Sequence, residues 1–130
     1  MTTLDPFDLP EWLGTADITW YADSAERGGH LVRGRLSDGT ETIPCDLLAV
    51  DQAWPAPVTD EASRQAAHQA WQIGELLVLE RDGRATLAAP GTGFTADLVL
   101  ELIGRLARAV GAEPHRFAAA LRVGAVGGGD

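Results

Sequence analysis

The sequence predicts an α+β domain: a five-stranded, mainly antiparallel sheet in the order β-β-β-α-β-β-α. Its helices are expected on one face, with a short extra element at the C-terminus. Three observations carry this. Asp38-Gly39 and Asp82-Gly83 each interrupt apolar, strand-like runs, and Asp-Gly readily takes the positive φ angles of a tight hairpin. Residues 16–22 alternate apolar and polar, as a half-buried strand does. Val99, Leu102, Ile103, Leu106 and Val110 recur on one helical face.

Residues 1–13 hold Pro6, Phe7, Leu9, Pro10, Trp12 and Leu13, which fits a short helical turn from Asp8 or a strap with buried anchors. In the first strand Ala16, Ile18, Trp20 and Ala22 share a face. The polar loop Ser24–Gly29 then closes a hairpin onto Leu31–Leu36, and Asp38-Gly39 closes a second onto Thr42–Val50. Pro44 lacks a ladder N–H, which places its part of the strand at an edge or bulge. Cys45–Val50 reads as buried on both faces.

Trp54-Pro55-Ala56-Pro57 is an extended connector, because proline excludes helix there. A helix over 59–74 follows, with Thr59 as N-cap and Asp60 and Glu61 in its first turn. Its apolar stripe is Ala62, Ala66, Ala67, Ala70 and Trp71. Leu76–Glu80 and Arg84–Ala89 form the third hairpin, and Pro90-Gly91-Thr92-Gly93 leads into a helix over 95–110, ended by Gly111. Residues 113–121 read as a short helix or a final strand. The domain spans 1–123, and Gly-rich 124–130 is expected to be a flexible tail.

The 130 residues suffice for one core without disulfides or metals. Net charge is −9, and residues 1–23 and 41–63 each carry five acids and no base. Such a surface opposes nucleic acid and anionic membranes, which are bound by clustered cations. No stretch reaches the roughly 20 apolar residues of a bilayer span. One cysteine allows no internal disulfide, and the N-terminus has no signal-peptide pattern, so a cytoplasmic location is expected.

Residues that bear chemistry are dispersed. His30, His68 and His115 lie in separate elements with no second ligand at metal spacing. Cys45 sits in an apolar strand, the usual place of a core cysteine rather than a nucleophile. Residues 90–95 resemble neither a P-loop nor a dinucleotide fingerprint. No catalytic residue, cofactor or metal is therefore expected. Trp12 and Trp54, flanked by prolines, are the candidate protein-binding residues, since tryptophan is enriched at interface hot spots.

All ten basic residues are arginine, and lysine and asparagine are absent. This vocabulary, with phrases such as Tyr21-Ala22-Asp23-Ser24-Ala25 and Phe94-Thr95-Ala96-Asp97-Leu98, is similar to that of small actinobacterial proteins. Residues 6–13, the two Asp-Gly hairpins and the helices at 59–74 and 95–110 follow an order that resembles the secretion-chaperone family and YbjN-type domains. The resemblance covers nearly the whole chain through element order alone. It implies a dimer that binds other polypeptides through its sheet face and hydrophobic patches. The expectation is a non-enzymatic protein-interaction domain, chaperone-like or regulatory, partnered by itself and by another polypeptide. The alternative is a small-molecule-binding or catalytic domain with a pocket between sheet and helices.

Overall fold

A computed structural model describes residues 2–23, 30–51 and 59–121. The 24–29 loop, the connector around Trp54 and the 124–130 tail lie outside the described residues. The strands are β1 (Thr2–Thr3), β2 (Ile18–Ala22), β3 (Leu31–Val32), β4 (Gly34–Ser37), β5 (Thr42–Val50), β6 (Leu77–Arg81), β7 (Arg84–Pro90) and β8 (Phe117–Ala120). The helices are α1 (Glu61–Gln72) and α2 (Ala96–Ala109). No helix is long and apolar enough to cross a membrane.

The α+β class holds, but the sheet has eight strands among the described residues rather than five. It runs β1-β6-β7-β5-β4-β2-β8, with β3 also on β5. It is mixed: β5 pairs parallel with β7, and β8 pairs parallel with β2. The additional strands come from both termini and from one division. Thr2–Thr3 add to β6, and Leu4 N–H continues the contact by donating to Val78 O at 2.7 Å. The element after α2 is a single 3-10 turn, Pro114–Arg116, followed by β8. The segment expected as one strand over 31–36 divides into β3 and β4.

Both Asp-Gly turns form as their chemistry demands. Asp82 and Gly83 take φ 56° and 74°, joining β6 to β7 through a two-residue turn. At the other turn Asp38 Oδ1 accepts from Thr40 N–H at 2.7 Å and Glu41 N–H at 2.6 Å. Gly39 supplies φ 96°.

The helices lie on opposite faces of the sheet, not on one. Cys45, Leu47 and Ala49 of β5 belong to the main core with Val99, Leu102, Ile103 and Leu106 of α2. Leu48 and Val50, pointing the other way, form a second cluster with Ala67 of α1, flanked by Ala66 and Ala70. The reason is already present in the doubly apolar run 45–50: a strand apolar on both faces needs a cover on each. The N-terminal strap completes the α2 layer, with Leu13 fully buried and Leu4, Leu9 and Trp12 packed against the same core.

Candidate functional site

The candidate chemistry of the sequence is not gathered into one place. Trp12 sits in the 3-10 turn Glu11–Gly14, half-buried against the main core. Trp54 lies outside the described residues. His115 faces Glu113 at 3.3 Å with both side chains well exposed. His68 stands on the outer part of α1, its Nε2 buried without a partner. No group of three or more potential metal ligands occurs among the described residues. Cys45 is fully buried, and burial, reinforced by the charge of Asp46, pushes its thiol far above the ordinary range. A thiol so held is a poor nucleophile. Gly91-Thr92-Gly93 ends β7 and delivers Thr95, whose Oγ1 caps α2 by accepting from Leu98 N–H at 3.2 Å.

A polar constellation is built where β4, β5 and β7 meet. The pairings Val32↔Leu47 and Arg35↔Pro44 belong to one register, which sets Gly34 opposite Cys45. Their ladder is replaced by side chains. Trp20 Nε1 donates to Cys45 O at 2.8 Å, while Gly34 N–H donates to Asp46 Oδ1 at 3.2 Å. Arg84 Nη2 donates to Gly34 O at 2.9 Å and to Asp46 Oδ1 at 2.7 Å. Its Nε lies 3.0 Å from both Asp46 oxygens. Asp46 is fully buried, so this charge persists only because a guanidinium and a backbone N–H satisfy it. The hydrogen bond to Asp46 in turn raises the pKa of Arg84 above its ordinary value. Thr86, the residue facing Asp46 across β5–β7, is buried with an unpartnered hydroxyl.

Beyond this constellation the α1 side of the sheet is open. α1 covers β6 and β7, and among the described residues no element lies over β4, β2 and β8. The register sets Tyr21 beside Arg35 and Ala120, and Thr19 beside Ser37 and Ala118. Arg35 lies over the Tyr21 ring at 5.0 Å and pairs with Asp23. Among the described residues the outer side of β8 has no strand neighbour. At the start of β8 the surface dips into an open cleft of about 440 Å³ between Asp17, Thr19, His115 and Arg116. Arg116 is fixed there by Asp17 Oδ1 at 3.0 Å and Thr15 O at 2.6 Å.

No protein-family profile, curated protein or solved structure matches this chain.

Two features of this region escape sequence reasoning. The alternation of Arg33 and Arg35 marks a solvent face, but its openness depends on which side α1 takes. The acid inside Cys45–Val50 signals a buried charge, yet its partner Arg84 lies 38 residues away.

Proposed function

We propose that this chain is a non-enzymatic protein-interaction domain, chaperone-like or regulatory. In this reading it works in the cytoplasm as a homodimer and takes an extended segment of another polypeptide. The observation that carries it is the β8 edge. Phe117-Ala118-Ala119-Ala120 has no charge, proline or bulge, the devices by which edges are commonly shielded from a further strand. Strand addition at such an edge derives affinity from main-chain hydrogen bonds and specificity from neighbouring side chains. Here those neighbours are Tyr21 and Arg35 on the open face. The cleft beside His115 and Arg116 provides a recess at one end of the edge. Trp12 and Trp54 are proposed as further protein contacts, outside this edge.

The test is selection of binding peptides from a random display library, followed by titration against an Ala118→Lys/Ala120→Lys variant. Both alanines are exposed, so the variant should fold normally while charge blocks the edge. The reading expects selected peptides to lose at least about thirtyfold in affinity, a loss of hot-spot size. Failure to select any peptide, or equal binding by the variant, would contradict it.

A further inference from the structure

Gly104 occupies the middle of α2, where glycine is the least favoured residue after proline. No close contact among the described residues requires it. Among the described residues a Cβ at Gly104 would meet only the end of the Arg108 side chain, Nη1, at 3.8 Å, an ordinary contact. Four residues earlier on the same outward surface stands Leu100, more than half exposed. The fold thus presents, one helical turn apart, a large apolar knob and a position with no side chain of its own, bordered by the Arg108 guanidinium.

At about 100° per residue, Asp97, Leu100, Gly104 and Arg108 fall along one outward stripe. It is separate from the flank where Arg105 donates to Trp71 O at 2.7 Å and lies over the Trp71 ring. Among the described residues neither Asp97 nor Arg108 has an ion-pair partner. The stripe has a particular symmetry: the pair Leu100/Gly104 and the pair Asp97/Arg108 share a midpoint close to Leu102. A surface whose knob and hole, and whose acid and base, are reflected through one point is complementary to itself in antiparallel orientation.

We infer that α2 is the contact between two copies of this chain, crossing its counterpart antiparallel about a two-fold axis that passes through its outward surface between Leu100 and Gly104. Leu100 of each copy fills the space over the partner's Gly104, and Asp97 of each meets the partner's Arg108. Glu101, also near the axis, is held by Arg105 of its own helix at 2.7 Å, which limits repulsion between copies. Glycine at 104 permits the close helix approach that a side chain would prevent. The surface is isologous, as closed dimers require, and it leaves the β8 edge and the open sheet face unobstructed. This rests on the homodimer reading above and assigns that dimer its surface.

Sedimentation equilibrium tests it, with circular dichroism and thermal melting as the check on folding. The wild type should reversibly dimerise. Gly104→Leu should raise the dissociation constant at least about tenfold while melting no lower, because the monomer has room for the side chain. Arg108→Glu should weaken the dimer in a salt-dependent way, and adding Asp97→Arg should restore it. A Gly104→Leu protein that dimerises as the wild type does would overturn this surface while leaving the homodimer intact. A wild type that stays monomeric throughout would overturn both.

Discussion

At Gly34 the absent side chain leaves room for the Trp20 indole, and a Cβ there would lie 2.6 Å from Nε1. The indole is fully buried and tethered to Cys45 O, so it has little freedom to retreat. Gly34→Ala should therefore destabilise the fold by about 2 kcal/mol, the cost of forcing extra volume into a packed site. Chemical denaturation would measure it, and a loss below about 0.5 kcal/mol would show that the indole is mobile. This glycine is needed for a close approach and not for a positive φ, so the sequence Arg33-Gly34-Arg35 reads as ordinary strand. The same holds for Asp46: its position in an apolar run was visible, while the geometry with Arg84 and Gly34 depends on pairing among three strands. Trp20, by contrast, is legible as core from alternation, and Cys45 from its place in an apolar run. Trp12 is half-buried against the core within the strap, in keeping with the buried anchors expected of residues 1–13.

At the scale of elements, local chemistry decided what could be read. α2 carries its period, its Thr95 cap and Gly111 at φ 78°, all within a few residues of one another. α1 was equally visible, although Asp60 rather than Thr59 is its cap, accepting from Ser63 N–H at 2.6 Å. That bond lowers the Asp60 pKa below its ordinary 3.8, and the turn bonds from Glu41 and Thr40 lower that of Asp38 in the same way. A carboxyl with a depressed folded-state pKa stabilises above its unfolded value, and that stabilisation is lost as pH falls through the folded one. The melting temperature should therefore decline progressively below a pH of about 4. Asp60→Asn, which keeps a capping oxygen without the titration, should show a shallower decline. Identical acid profiles for the two proteins would remove Asp60 from the account. β1 and β8 were harder to see, because two residues are too short a run to show alternation and three alanines carry no strand signature. Their strand character comes from the neighbour each one finds.

For the whole molecule, the consequential difference lies in the layers. Helices on one face would leave the opposite face of the sheet bare throughout. With α2 and the strap on one side and α1 on the other, the part formed by β4, β2 and β8 remains uncovered on the α1 side among the described residues. Hairpins constrain neighbours in sequence, whereas the side taken by α1 follows from filling both faces of β5 at once, a non-local requirement. The arrangement gives the molecule two separate outward features: an alanine edge beside Tyr21 and Arg35, and the Leu100/Gly104 stripe on α2. The proposed function uses the first to take a polypeptide, and the second joins two copies. Amide hydrogen exchange of the protein with and without a selected peptide tests the first most directly. The account predicts new protection concentrated in residues 117–120 of β8, extending to Thr19 and Tyr21. Protection confined to α1 or to the strap around Trp12, with β8 unchanged, would contradict it.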